Sequence, residues 1–110
     1  MMSIFRVGKF VVRQENQAEF KSLWQRFLMY QKENPEKFRE LKSGYRLFTQ
    51  TFGDMQGAYI MMVEFASLAN LEKYQTRMLG EDKVTIKIVE EFMSLIEPAS
   101  YSLSIWNTIE

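Results

Sequence analysis

Arg6 and Glu64 are the two side chains whose types and positions suggest chemistry most directly. Each is a charged residue inside an apolar run that predicts a β-strand, residues 4–13 and residues 58–65. If these strands are antiparallel neighbours, Arg6 near the start of one lies close to Glu64 near the end of the other. On the open face of a sheet the pair could orient a polar group of a ligand, or a desolvated Glu64 with a raised pKa could act as a base. A cross-strand ion pair that only stabilises the sheet is the simpler interpretation.

The composition excludes several kinds of site. The chain of 110 residues has no cysteine and no histidine, which excludes thiolate nucleophiles, Ser-His-Asp hydrolysis and His-ligated zinc or haem. No carboxylates have the spacing of a calcium loop, so we predict neither a metal nor a cofactor. The 14 basic and 14 acidic residues cancel, which makes nucleic acid an unfavourable partner. The residues before Val63 also lack the glycine and aromatic pattern of RNA-recognition domains.

The hydrophobic pattern predicts one domain, residues 1–110, with the element order β-α-β-β-α-β, in which the second helical region is broken at Gly80. The predicted strands are residues 4–13, 45–52, 58–65 and 100–108, and the predicted helices are residues 16–34, 67–80 and 83–96. Asn16 and Ser67 are the expected N-caps, and Gly80 is expected to end a helix with positive φ. This order is typical of the ferredoxin-like α+β sandwich, with a four-stranded antiparallel sheet in the order 4-1-3-2 and the helices on one face. No 18 apolar residues run together, so we expect no membrane partner and a cytoplasmic location.

Both faces of this predicted sheet carry many large apolar side chains, although helices cover only one of them. Soluble monomers rarely leave such a contiguous apolar patch in water. We therefore predict a homodimer in which two sheets pack open face to open face. The candidates for the dimer interface are Ile4, Phe10, Phe52 and Ile60. The candidates for a ligand cavity on the same face are Arg6, Phe48, Gln50, Met62, Glu64, Ser104 and Trp106.

Residues 63–74, Val-Glu-Phe-Ala-Ser-Leu-Ala-Asn-Leu-Glu-Lys-Tyr, carry a resemblance to a known family. A third strand ending in an acidic-aromatic step, followed by a helix that begins with Ser-Leu, resembles the antibiotic-biosynthesis-monooxygenase-like branch of the dimeric α/β-barrel superfamily. Pro98 followed by a strand ending near Trp106 is similar too. The resemblance implies a barrel of two sheets, with a cavity inside the barrel or between each sheet and its helices. Its haem-degrading members normally use a histidine ligand, which this chain lacks.

Two functions from different classes follow. The resemblance implies a cofactor-free monooxygenase acting on a small apolar aromatic compound. The alternative is a non-catalytic ligand-binding or assembly module whose barrel is a packed core. Among the residue types that the family's oxygenases use to position substrates, Trp24 lies in the apolar stripe of the first helix and is expected in the core. Trp106 fits a barrel lumen and a dimer contact equally. Asn70 is expected to be exposed to solvent, and Tyr59 is expected to lie under the helices.

Overall fold

The computed structural model describes residues 2–54 and 57–109. Its four strands are β1 (Ile4–Phe10), β2 (Leu41–Thr49), β3 (Tyr59–Phe65) and β4 (Ser102–Asn107). All neighbouring pairs are antiparallel, in the order β2-β3-β1-β4. The helices are α1 (Gln17–Glu33), α2 (Leu68–Tyr74) and α3 (Lys83–Leu95), with a π-helical turn (Gln75–Leu79) continuing α2. The predicted ferredoxin-like sheet order is confirmed, since 4-1-3-2 is the same order read from the other edge.

The helix boundaries follow local hydrogen bonding. Ser67 is the N-cap of α2 as predicted, because its Oγ accepts a 3.1 Å hydrogen bond from the backbone N–H of Asn70. The capping role expected of Asn16 is wrong. A short 3₁₀ turn (Gln14–Asn16) precedes α1, and Asn16 Nδ2 donates to the carbonyl of Leu95 at 3.2 Å instead. Helix α1 ends at Glu33, before the Asn34-Pro35 step, as expected.

The prediction for Gly80 is wrong. Its φ is −106°, so it has no left-handed conformation, and the chain passes from the π-helical turn directly toward α3. Asp82 then caps α3, with Oδ2 accepting from the backbone N–H of Thr85 at 3.1 Å. The chain enters α3 two residues after Gly80, with Asp82 as its N-cap. The turn between the two helices therefore needs no glycine in the left-handed conformation.

Strand β2 begins four residues earlier and ends three residues earlier than predicted. Ser43 and Gly44, expected in the preceding connection, lie inside the strand, where the register with β3 shifts on either side of Ser43. Such irregularities let a strand accommodate residues that pair poorly. A hairpin loop follows, closed by 2.8 Å hydrogen bonds from the Gln50 N–H to the Ala58 carbonyl and from the Gly57 N–H to the Gln50 carbonyl. Gly57 has φ 81°, which favours glycine. Met55 and Gln56 of this loop lie outside the described residues.

The register of β1 against β3 corrects the predicted pairing of Arg6 with Glu64. Arg6 is opposite Val63, and Glu64 is opposite Phe5. Since directly opposed residues share a face and successive residues alternate, Arg6 and Glu64 lie on opposite faces of the sheet. Arg6 lies on the face covered by the helices, and the predicted pair is wrong.

The helices pack on the face that carries the odd-numbered residues of β3, Tyr59, Met61, Val63 and Phe65, as predicted for Tyr59. The even-numbered residues of β1 share this covered face, so Ile4 and Phe10 are buried in the core at 6% and 0% exposure. Their assignment to the open face and a dimer interface is wrong. The reason is that both faces of β1 are apolar, so that its sequence alone does not say which face the helices select.

The open face, opposite the helices, carries other predicted residues. Phe48 pairs with Ile60, Met62 pairs with Val7, and Ser104 and Trp106 pair with residues of β1 on this face. The large apolar side chains Phe48 and Trp106 are 44% and 51% exposed. Phe52 lies in the hairpin loop and is 83% exposed. The open face is therefore apolar over much of its area, as the sequence predicted.

Candidate functional site

A cavity of about 240 Å³ lies between the covered face of the sheet and helices α1 and α3. We call it the helix-side cavity. Its apolar walls come from aromatic and aliphatic side chains of all these elements: Phe20, Leu23, Phe27, Met61, Ile88 and Phe92. A few polar side chains also face it: Arg6, Trp24, Tyr45, Tyr74, Thr85 and Tyr101. An apolar pocket with a small number of converging polar groups is the usual form of a small-molecule site.

Arg6 is the charged residue of this cavity. It is half-buried in the middle of β1, and its Nε donates a 2.9 Å hydrogen bond to Oε1 of Gln75. Over residues 2–54 and 57–109, no carboxylate forms an ion pair with Arg6. The guanidinium is therefore held by a neutral amide, and no side chain among the described residues balances its positive charge.

Three tyrosines contribute hydroxyl groups: Tyr45 from β2, Tyr74 from α2 and Tyr101 from the connection before β4. The hydroxyls of Tyr45 and Tyr74 are 2.8 Å apart and share one hydrogen bond in which either can donate. Burial raises the pKa of both Tyr45 and Tyr74, and the lowering effect of the nearby Arg6 charge does not cancel this. Both groups are thus neutral hydrogen-bonding phenols at physiological pH. Tyr101 lies over Gly8, since a Cβ built on that glycine would be 3.7 Å from the tyrosine hydroxyl.

The cavity opens between α3 and the π-helical turn. Leu79, Val89 and Met93 line it and are nevertheless 37%, 39% and 41% exposed. Side chains that face both a cavity and solvent mark its mouth. The rim is apolar, which favours entry of a ligand with an apolar body.

Trp24 both packs and lines the cavity. Its ring lies 6.0 Å from that of Phe27, in the core as expected, while the half-buried side chain also borders the helix-side cavity. Tyr59 is a core residue that stacks on Phe10 and donates to Oε1 of Gln17 at 2.8 Å. Of the family-suggested aromatic residues, Trp24 is thus the one placed to contact a ligand here.

Six of the seven predicted ligand-cavity residues lie outside the helix-side cavity. Phe48, Met62, Glu64, Ser104 and Trp106 are on the open face, and Gln50 lies where β2 enters the hairpin loop. A ligand site between two open faces stays a prediction for these six. Only Arg6 lines the helix-side cavity, which Tyr45, Tyr74 and Tyr101 share without having been expected there.

Glu64 does not have the raised pKa expected of a buried base. A hydrogen bond from Ser3 lowers the pKa of Glu64. The hydrogen bond and the charge of Lys42 lower it further, and together these effects outweigh burial, which raises it. Lys42 Nζ is 3.4 Å from Oε2 of Glu64 and 3.0 Å from the Ser3 hydroxyl. This is the structural ion pair of the simpler interpretation, although its partner is Lys42 and not Arg6.

Two ion-pair networks fix the elements around the cavity. Arg77, in the π-helical turn, binds both carboxylate oxygens of Glu40 at 2.6 and 2.7 Å and the carbonyl of Lys37 at 2.6 Å. At the start of α3, Asp82 accepts from Lys37 at 2.8 Å and from Tyr30 at 2.7 Å. Burial opposes ionisation of Asp82, but these hydrogen bonds and those from Thr85 prevail and lower its pKa to about 2. The networks hold the π-helical turn and α3 against the connection after α1.

Within the described ranges, no group of three or more Asp and Glu side chains is arranged to hold a metal ion. The helices of this part of the chain are also too short or too polar to cross a membrane.

Comparison with known proteins shows the fold of this chain. No protein-family model and no curated protein matches the sequence. A variant of SnoaB, a cofactor-independent oxygenase from Streptomyces nogalater, is similar in structure with a TM-score of 0.67 and 12% identity, over 98% of this chain and 94% of that one.

Two further solved structures are similar. An antibiotic biosynthesis monooxygenase superimposes over the whole of both chains, with a TM-score of 0.66 and 12% identity. A dimeric protein of unknown function with a ferredoxin-like fold, from Bacteroides fragilis, has a TM-score of 0.63 and 16% identity, over 96% of each chain. At these identities the likeness shows the fold alone, and it confirms the ferredoxin-like architecture that the sequence predicted.

Proposed function

We propose that this protein is a cofactor-free monooxygenase that oxidises a small aromatic compound in the helix-side cavity. The observation that carries the proposal is the cavity itself, about 240 Å³ with aromatic walls and a few converging polar groups. The shared fold with a cofactor-independent oxygenase supports the reaction class.

The reaction class sets a condition on the substrate. Without a metal or flavin, the substrate itself must supply the electrons that reduce O₂. Oxidation of an activated methylene meets this condition, since R₂CH₂ and O₂ give R₂C=O and H₂O with no other reductant. The walls of Phe20, Phe27 and Phe92 would hold an aromatic ring, and closure by apolar groups would keep water from the reacting carbon.

A non-catalytic binding protein is the second candidate, and one observation favours it. The residues that line the cavity include neither a carboxylate nor a histidine, so the usual general bases are lacking.

Oxygen uptake tests the enzyme. The purified protein is mixed with a panel of hydroquinones and of one- and two-ring ketones that carry an activated methylene, and O₂ consumption is followed with an electrode. Protein-dependent uptake with at least one compound is expected. Binding of panel members without any uptake would overturn the oxygenase and leave the binding protein.

A matched pair of variants locates the activity. Val89 lies at the cavity mouth, whereas Val84, on the same helix and similarly exposed, does not line the cavity. Val89→Trp should block entry and reduce uptake at least about tenfold, and Val84→Trp should leave it unchanged. Equal uptake by both variants would place the reaction elsewhere.

We also propose that the protein is a homodimer joined through its open faces. Phe48 and Trp106 on this face are 44% and 51% exposed, and such an apolar patch favours a partner. The similar Bacteroides fragilis protein is described as dimeric. In light scattering after size exclusion, Phe48→Glu should shift the mass from dimer to monomer. Met29→Glu, an exposed apolar site on α1, should leave the dimer intact, and a wild-type mass of one chain would refute the proposal.

A further inference from the structure

We propose that the helix-side cavity selects ligands that carry an acidic oxygen, a carboxylate or a phenolate, and that the guanidinium of Arg6 binds this oxygen. The inference rests on the proposed role of the cavity as a small-molecule site and names the chemical class of its ligand. It concerns recognition and holds for an enzyme and for a binding protein.

The balance of charge is the first argument. Arg6 is a cation in a largely apolar cavity, and desolvating an unpaired charge is unfavourable. The two least exposed carboxylates among the ion pairs of the described residues are engaged elsewhere, Glu40 by Arg77 and Asp82 by Lys37, and neither lines the cavity. A ligand with a negative charge would supply the counter-charge that the protein does not.

The number of free donors is the second argument. A guanidinium has five N–H donors, and Gln75 engages only the one on Nε. The four on Nη1 and Nη2 make no hydrogen bond with any residue in the described part of the chain. The N–H groups on Nη1 and Nη2 are spaced to donate to both oxygens of a carboxylate at once. Because Tyr45 and Tyr74 share one hydrogen bond, a second hydroxyl hydrogen of the pair is also available to a ligand.

The volume limits the body of the ligand. A cavity of about 150 Å³ in another protein binds benzene. A cavity of about 240 Å³ therefore fits one ring or two fused rings. We therefore expect the ligand to be a flat aromatic acid or phenol with one or two rings.

Binding of a charged and a neutral ligand of the same shape tests the inference. The protein has two tryptophans, and Trp106→Phe leaves Trp24 at the cavity as the fluorescent reporter. The probes are 2-naphthoate and 2-naphthamide, titrated at pH 7 and followed by Trp24 quenching. The carboxylate should bind at least about tenfold tighter, because charge-assisted hydrogen bonds are stronger than neutral ones.

Variants assign this preference to Arg6. In Arg6→Met the tenfold preference should disappear, because 2-naphthoate loses its charge-assisted hydrogen bonds, and urea unfolding of the variant checks that it is folded. Arg6→Lys should keep part of the preference. Arg46→Met, a control on β2 with a side chain on the open face opposite Met62, should bind both probes as the parent does.

The outcomes separate the two proposals. Equal binding of both probes by the parent protein, or a preference that persists in Arg6→Met, would overturn the anion site and leave the cavity as a binding site. If neither probe binds, the proposed role of the cavity fails, and the inference fails with it. The comparison of the two probes in the Trp106→Phe protein needs no change at Arg6.

Discussion

Arg6 on β1 donates a 2.9 Å hydrogen bond from Nε to Oε1 of Gln75, the first residue of the π-helical turn. The contact ties the middle of a central strand to the helical layer above it. Since Gln75 is an amide, it fixes the orientation of the guanidinium without neutralising it. The electrostatics of the helix-side cavity therefore depend on one neutral residue.

Gln75→Glu should remove the preference for anionic ligands. The new carboxylate would form an ion pair with Arg6, so a ligand acid would gain little from the guanidinium and would meet a like charge. We expect 2-naphthoate to bind at least about tenfold more weakly, with the affinity for 2-naphthamide unchanged. Gln75→Leu, which removes the hydrogen bond without adding charge, should retain most of the preference. Unaltered naphthoate binding by Gln75→Glu would contradict the role assigned to Arg6.

The two hydroxyls of Tyr45 and Tyr74 should contribute unequally to stability. Tyr74 is only 1% exposed, whereas Tyr45 is half-buried and borders the cavity. Tyr45→Phe leaves the Tyr74 hydroxyl buried without its partner, at a cost of about 1–3 kcal/mol. Tyr74→Phe should cost about 0.5–1.5 kcal/mol, and the double variant less than the sum of both. Urea unfolding of the three variants measures these free energies, and simple additivity would mean that the hydrogen bond is not formed.

Stability should fall in acid through Asp82. Its pKa is about 2 in the folded protein, below the value of about 3.9 of an unfolded chain. A lowered pKa stabilises the fold above the unfolded value, so this contribution is complete above about pH 5 and is lost as the pH falls from about 4 to 2. Asp82→Asn should reduce the free energy of unfolding at pH 7 by on the order of 1–2 kcal/mol. Near pH 2 the variant and the parent protein should have the same free energy of unfolding.

A surface aspartate provides the control for Asp82. Asp54 pairs with Lys9 at 2.8 Å but is 74% exposed, so solvent screens the pair. Asp54→Asn should change the pH profile of unfolding much less. The two variants are compared by urea unfolding from pH 2 to pH 7, and equal profiles would show that the buried network around Asp82 is not stronger than a surface pair.

Arg77→Lys should destabilise the fold although it keeps the charge. Lysine cannot bind both oxygens of Glu40 and the Lys37 carbonyl together, and the Glu40 side chain is only 8% exposed. We expect a loss of about 2–3 kcal/mol in thermal or urea unfolding. Arg26→Lys is the matched control, since Arg26 pairs with Glu91 at the surface, and it should cost at most about 0.5 kcal/mol. Equal losses would indicate that the Arg77 contacts add no more than a surface ion pair.

The element order and the sheet order could be predicted from the sequence because the signals are local. The cap at Ser67, the Asn34-Pro35 step and the alternation of residues 58–65 each depend on a few neighbouring residues. The boundaries of β2 could not be predicted in this way, because the pairing of β2 with β3 outweighs the turn preference of Ser43 and Gly44. Tertiary pairing overrides local propensity in such cases.

Of the residues that line the candidate site, the sequence predicts one, Arg6, as a charge in an apolar strand. Its predicted face is wrong, because both faces of β1 are apolar and the register that puts Val63 opposite Arg6 is a non-local fact. Tyr45, Tyr74 and Tyr101 come together from parts of the chain far apart in sequence, so no spacing signals them.

The π-helical turn has a consequence for how this protein tolerates changes in length. A π turn holds one residue more than an α turn, because its backbone hydrogen bonds join residues five apart. Deleting Thr76 would remove this extra residue and let an α turn form, so the residues after the turn would keep their faces. The same deletion in a regular α-helix such as α1 would rotate every later residue by about 100°. The turn that carries the Arg77 anchor and the Leu79 rim is therefore a place where the chain can lose one residue without reorienting the helix that follows.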